Sequence, residues 1–132
     1  MTSLPSGTPI ARFDLVVLDT PEPRRLADFY GALLGWVVVD EDQDWITIRP
    51  AAAAPHGMAF QLAPDLVPPT WPDPAVPQQS HLDVTVDDLD VGEARVLGIG
   101  ARPTGVTGSG FRAYLDPSGH PFCLCLPSPT RP

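Results

Sequence analysis

The side chains best suited to chemistry in this chain fall on alternate positions of short apolar runs. Residues 81–86 read His-Leu-Asp-Val-Thr-Val, so a strand here puts His81, Asp83 and Thr85 on one face and Leu82, Val84 and Val86 on the other. The same alternation separates Trp45, Thr47 and Arg49 from Ile46 and Ile48, and Gln61 from Phe60 and Leu62. It also separates Cys123 and Cys125 from Phe122, Leu124 and Leu126. In residues 111–115, Arg112 and Tyr114 alternate with Phe111, Ala113 and Leu115, and are expected to join the polar face. Pooled, that face offers Trp45 and Tyr114 for stacking and Arg49 and Arg112 for an anionic group. Gln61, His81, Asp83 and Cys123 would fix the orientation of a bound molecule.

Two readings of this face are open. A one-sided sheet commonly shows a polar face to water. Large aromatics and a histidine beside two thiols make a poor solvent face, which favours a ligand-lined cleft. His81 is the candidate catalytic base, but no nucleophile elbow accompanies the His81–Asp83 pair, so it is not a triad. Cys123 reads either as a thiol deprotonated by His81 or as a small buried apolar residue. A thiolate–imidazole pair with an open position suits zinc, whereas an octahedral Mg²⁺, Mn²⁺ or Fe²⁺ site needs more oxygens. The expectation is that no metal cofactor is used. The chain has no lysine, so Schiff-base and lysine-nucleophile chemistry are closed.

Other polar residues read as structural. His56 and His120 sit beside Gly57 and Gly119 as turn residues, and Asp116-Pro117-Ser118-Gly119 is a hairpin turn. Residues 105–110, GVTGSG, lack the spacing and following helix of a phosphate loop and read as a flexible loop at the cleft edge. Trp71 is placed to pack over a cleft mouth or a partner copy.

The elements that must position these residues occur twice. Residues 15–35 and 81–98 each give an apolar strand, an acidic or Pro-bearing turn, an amphipathic helix and a Leu-Gly stop. In the first half, a strand over 11–19 leads to a helix ending near Leu34, with Leu26, Phe29, Tyr30, Leu33 and Leu34 on one stripe. A buried strand over 36–39, a strand over 45–49 and a strand over 58–63 follow. The second half repeats the order, with a helix near 88–97 and strands at about 100–104, 111–115 and 121–126. Aligning the halves sets Leu15 opposite His81 and Gln61 opposite Cys123. Between them, residues 64–78 hold prolines at 64, 68, 69, 72, 74 and 77, which predicts a stiff, extended linker.

Composition narrows the partners. The chain has 132 residues, enough for one domain with a real core, with module one at about 11–63 and module two at about 79–127. Residues 1–10 and 128–132 are expected to be disordered tails. A net charge of −8 argues against nucleic acid or an anionic membrane as partner. No apolar run is long enough to span a bilayer, and the N-terminal residues lack the features of an export signal. Cys123 and Cys125 lie two apart in one strand, at or beyond disulfide reach, which fits a reducing cytoplasm. The absence of lysine and asparagine suggests a GC-rich bacterial genome.

The motifs LADFYGALLGW at 26–36, His81-Leu82-Asp83-Val84 with Val86-Asp87-Asp88-Leu89-Asp90, and Tyr114-Leu115-Asp116-Pro117-Ser118-Gly119-His120-Pro121-Phe122 resemble the vicinal oxygen chelate superfamily. The Pro-Pro-Thr-Trp-Pro run at 68–72 is similar to its small glyoxalase-like members. The resemblance covers roughly residues 12–127. It implies an α+β fold of two βαβββ modules, an eight-stranded half-open barrel around a cleft with helices outside, and a homodimer. It also implies a function: either binding of a small, partly aromatic or apolar molecule, as bleomycin-binding members do, or a metal-dependent lyase, isomerase or dioxygenase reaction with His81 as a surviving ligand. Metal enzymes of the superfamily draw one ligand from the first and last strand of each module. Here those positions hold Leu15, Gln61, His81 and Cys123, so the resemblance leaves Gln61, His81 and Cys123 to hold any metal, and the apolar Leu15 favours the binding reading.

Overall fold

The computed structural model describes residues 7–127. The expected disorder of 128–132 and of most of 1–10 falls outside the described residues. Strand β1 (Leu15–Thr20), helix α1 (Pro23–Leu34) and strands β2 (Val37–Glu41), β3 (Trp45–Arg49) and β4 (Gly57–Leu62) form the first module. Strand β5 (Leu82–Thr85), helix α2 (Leu89–Gly98) and strands β6 (Arg102–Gly108), β7 (Phe111–Leu115) and β8 (Pro121–Cys125) form the second. Each module is a four-stranded mixed sheet, ordered β1-β4-β3-β2 and β5-β8-β7-β6. Among the described residues no ladder joins the sheets, so the α+β architecture is two βαβββ modules, half-open rather than closed.

Local chemistry explains the helix ends. Pro23 occupies the first turn of α1, where its missing N–H costs nothing, and Thr20 Oγ1 accepts the Glu22 N–H at 3.0 Å. Gly35 ends α1 at φ 70°, a left-handed conformation that glycine adopts without a Cβ penalty. Asp88 caps α2 through its side chain, which accepts the Val91 N–H at 2.9 Å.

One core serves both modules. Tyr30 of α1 stacks on Phe60 of β4 with ring centroids 5.6 Å apart, and meets Phe122 of β8 edge-on at 6.5 Å. Phe29 also meets Phe122 edge-on, at 5.6 Å. Leu18, Leu26, Ile46, Ile48, Val96 and Leu124 complete this cluster. The buried Tyr30 hydroxyl donates to Asp116 at 2.6 Å, and Asp116 also accepts the backbone N–H groups of Ser118 and His120 at 2.9 and 3.0 Å. The Thr20 and Ser118 hydroxyls bond at 2.7 Å, and His120 Nε2–H donates to the Asp19 carbonyl at 2.6 Å. The 116–120 turn therefore latches module two onto β1 and α1.

Four expectations change. The first strand starts at Leu15 rather than residue 11, with 11–14 irregular. Residues 37–39, expected to be buried, are exposed, because β2 is the edge of its sheet and has one neighbour. Residues 105–108 belong to β6, which bulges between Pro103 and Thr107, so only 109–110 turn the chain. The linker is not uniformly extended: Thr70 binds Val76 through its backbone N–H and its hydroxyl, closing a compact loop over 70–76.

Candidate functional site

Ladder register decides which side chains share a face. In the first sheet, β1 and β4 run parallel with Asp19 beside Gln61 and Val17 beside Ala59. On the far side of β4, antiparallel β3 sets Trp45 beside Gln61 and Thr47 beside Ala59. Asp19, Gln61 and Trp45 therefore form one row across three strands, facing away from α1. The Trp45 indole N–H donates to Thr47 Oγ1 at 2.8 Å, which ties the ring to its own strand. Arg49 lies at the other end of β3, with its side chain 18% exposed, and pairs with Asp14 at 2.8 Å.

In the second sheet, Asp83 of β5, Cys123 of β8 and Ala113 of β7 form a row, followed by Thr85, Cys125 and Phe111. His81 precedes Asp83 by two residues on the same face, and its Nε2 lies 3.3 Å from Asp83 Oδ1. The ligating atoms of His81, Asp83 and Cys123 all fall within 4.8 Å of one another. His81 and Asp83 are exposed at the edge of the sheet, while Ala113, Cys123 and Cys125 are buried beneath Trp71, Val106 and Phe111. Neither cysteine is in a disulfide. Trp71 is thus a wall of this face, supplied by the linker.

Arg112 and Tyr114 lie on the other face. Tyr114 is beside Phe122 and Arg112 beside Leu124, the residues that point toward the core. The Tyr114 ring stacks on Phe122 at 5.6 Å, and its hydroxyl donates to Glu93 of α2 at 2.8 Å. Burial, reinforced by Glu93, pushes the Tyr114 phenol up to about 12. Arg112 pairs with Asp90 at 2.8 Å and Glu93 at 3.5 Å. Polarity misled here because long amphipathic side chains reach past an apolar core to the rim of a helix. Tyr114→Phe is expected to cost about 0.5–1.5 kcal/mol of stability. Neither it nor Arg112→Ala should alter binding at the opposite face, as calorimetry on the purified variants would check.

The ladders constrain the comparison of the halves, because the two pairings Leu15–His81 and Gln61–Cys123 cannot both hold. Leu15 opposite His81 sets Ala59 opposite Cys123, and it agrees with the helix starts, since Leu15 precedes the Glu22 N-cap by as many residues as His81 precedes the Asp88 N-cap. Gln61 opposite Cys123 sets Val17 opposite His81. The four-strand set is Leu15, Ala59, His81 and Cys123 in the first pairing and Val17, Gln61, His81 and Cys123 in the second. Neither holds more than one oxygen donor, a neutral amide, so neither fits a hard octahedral cation. The group that comes together within one sheet takes Asp83 instead of Gln61.

Two concavities flank these faces. A pocket of about 290 Å³ lies between Val17 and Asp19 of β1, the linker and His120. A larger open groove of about 960 Å³ runs along α1 against Glu41, Ile46 and Pro117. It lies on the helix side of the first sheet, away from Trp45 and Gln61. Its Arg24 pairs with Asp28 at 3.2 Å and Glu41 at 2.8 Å, and because the groove faces the helix rather than the row of Trp45 and Gln61 it is not the candidate site.

The pattern of the family described as the glyoxalase-like domain matches residues 15–125. Among curated proteins none matches the sequence. A glyoxalase-related enzyme from Fulvimarina pelagi is similar at 18% identity and TM-score 0.63, over 89% of each chain. TnmS3, an antibiotic binding protein from Streptomyces sp. CB03234, is similar at 20% identity and TM-score 0.61, over 92% of this chain and 99% of its own. The fosfomycin resistance protein FosX from Mesorhizobium loti is similar at 13% identity and TM-score 0.66, over 92% of this chain and 96% of its own. At these identities the likeness of structures speaks to fold alone.

Proposed function

Because the chain belongs to the glyoxalase-like domain family of the vicinal oxygen chelate superfamily, we propose that it binds a small, partly aromatic or apolar molecule on the sheet faces turned away from its helices. The observation that carries this reading is the row Asp19–Gln61–Trp45, which sets a stacking surface beside two polar groups in an open sheet. Trp45 supplies contact area and Gln61 and Asp19 orient polar atoms of the ligand. His81 and Asp83 do the same on the second sheet, and Arg49, at the far end of β3, would attract an anionic substituent. The same fold occurs in an antibiotic binding protein as well as in a glyoxalase-related enzyme, so it is compatible with binding without turnover.

A metal-dependent lyase, isomerase or dioxygenase reaction is the weaker reading. An apolar residue of β1 and Cys123 stand where the superfamily's metal enzymes place ligands, so no step through a hard divalent cation is supported. The assembly is a homodimer in this reading. Each chain leaves both sheets open, and it exposes Phe13, Val17 and the Val37–Val39 edge, an apolar surface that a second copy would cover. Neither cysteine is in a disulfide, which agrees with a reducing cytoplasm.

Thermal-shift screening against aromatic and partly apolar natural products, followed by calorimetry, tests the proposal. A binding compound should lose about tenfold or more in affinity on Trp45→Ala or Gln61→Ala. It should be recovered chemically unchanged. Consumption of the compound, or binding indifferent to both substitutions, would refute the reading. Light scattering should give twice the chain mass.

A further inference from the structure

We infer that His81, Asp83 and Cys123 form a three-ligand site for a soft divalent cation of the zinc type, contained within the second sheet and independent of the first. The site goes beyond the binding reading, since capture of a molecule by Trp45 and Gln61 requires no metal.

Three observations carry it. Asp83 and Cys123 are direct partners in the parallel β5–β8 ladder, and His81, in the residue just before β5, lies beside them, so one short stretch of backbone and its ladder partner carry all three donors. The distance from His81 Nε2 to Asp83 Oδ1, 3.3 Å, is long for a charge-assisted hydrogen bond. It matches the edge of a tetrahedron whose centre lies about 2.0–2.2 Å from nitrogen and oxygen ligands, roughly 3.3–3.5 Å. The three ligand atoms lie within 4.8 Å of one another, close enough to share one ion.

The donor set then selects the ion. Thiolate, imidazole and carboxylate together suit Zn²⁺ or its spectroscopic substitute Co²⁺, and reject Mg²⁺ and Ca²⁺, which need oxygens throughout. The thiol lies in the dry layer under Trp71, Val106 and Phe111, where an anionic sulfur gains most from a cation. His81 and Asp83 are exposed, which leaves the fourth position facing solvent, open to water or to an anionic atom of a ligand.

The test is titration of the reduced full-length protein with Co²⁺ under anaerobic conditions. One equivalent per chain should give the intense visible bands of four-coordinate Co²⁺, with a near-ultraviolet thiolate charge-transfer band, and Zn²⁺ should displace it. Cys123→Ser should abolish the charge-transfer band. His81→Ala, at an exposed position that tolerates truncation, should weaken binding by at least about tenfold, as should Asp83→Ala. Gln61→Ala should leave Co²⁺ affinity within about twofold. The inference is overturned by the absence of a four-coordinate spectrum, by a spectrum unchanged in His81→Ala or Cys123→Ser, or by equal loss in Gln61→Ala, which would mean a ligand set shared between the sheets. Failure here leaves compound binding in metal-free buffer intact, so the two proposals fall separately.

Discussion

Asp116→Ala is expected to lower folding stability by about 3–5 kcal/mol, the largest single-residue effect outside the apolar core. The carboxylate is buried and accepts three donors: the Tyr30 hydroxyl at 2.6 Å and the backbone N–H groups of Ser118 and His120. Alanine orphans all three, and each buried unpaired donor costs about 1–3 kcal/mol. It also cuts the tie between α1 and the turn that latches module two. Thermal unfolding should fall by roughly 10–20 °C. Asp116→Asn separates shape from charge. The amide oxygen still accepts the two backbone donors, and the amide N–H can donate to the Tyr30 oxygen, so the loss near neutral pH should stay near about 1 kcal/mol.

The same pair gives the pH dependence a sign. Burial raises the Asp116 carboxyl above its ordinary 3.8, against the lowering pull of the Tyr30 hydrogen bond and the nearby His120. A carboxyl whose folded value is raised holds its proton longer in the folded state than in the unfolded one. Its contribution is therefore fully present below 3.8 and is lost as pH rises through the higher folded value. Urea unfolding across that window should show stability falling with pH from this group, superposed on the other carboxylates. Asp116→Asn should remove that component. Tyr30 stays protonated as the donor throughout, because burial and the adjacent carboxylate hold its phenol well above the ordinary value.

What was legible in the sequence follows from which forces are local. The two modules could be read because strand alternation, Pro23 at a helix start and Gly35 at a helix stop are decided within a few residues. The polar faces of residues 45–49, 59–61 and 81–85 were read correctly for the same reason. Arg112 and Tyr114 were not, since their direction is set by the ladder with β8 and by Asp90 and Glu93 on α2, about 20 residues away. Asp116 read as a turn residue because its partner Tyr30 lies 86 positions earlier. The edge position of β2 is likewise a property of strand order, which no alternation pattern encodes. Sequence motifs pair both Leu15 with His81 and Gln61 with Cys123, whereas the register between strands about 40 residues apart allows only one of the two.

Trp71→Ala is expected to raise the alkylation rate of Cys123 and Cys125 by about tenfold or more while costing about 1–3 kcal/mol of stability. The indole comes from a proline-rich segment, yet it packs on Ala113, Cys123 and Cys125 together with Val106 and Phe111, and so shields two thiols whose own side of the sheet has no helix. Removing it opens a path to sulfur without disturbing the core around Tyr30 and Phe122. Mass-resolved iodoacetamide kinetics on the reduced, metal-free protein measures this directly. Asp116→Ala is the control: it is expected to be the less stable variant, but it keeps the Trp71 cover. If modification proceeded through global unfolding, Asp116→Ala would react faster than Trp71→Ala; if it proceeds through loss of the cover, the order reverses. Trp71→Phe, which restores an apolar ring, should recover most of the protection. A Trp71→Ala rate equal to that of the unaltered chain would mean that Val106 and Phe111 alone close the face, and Trp71 would then lose its place as the wall of this half of the cleft.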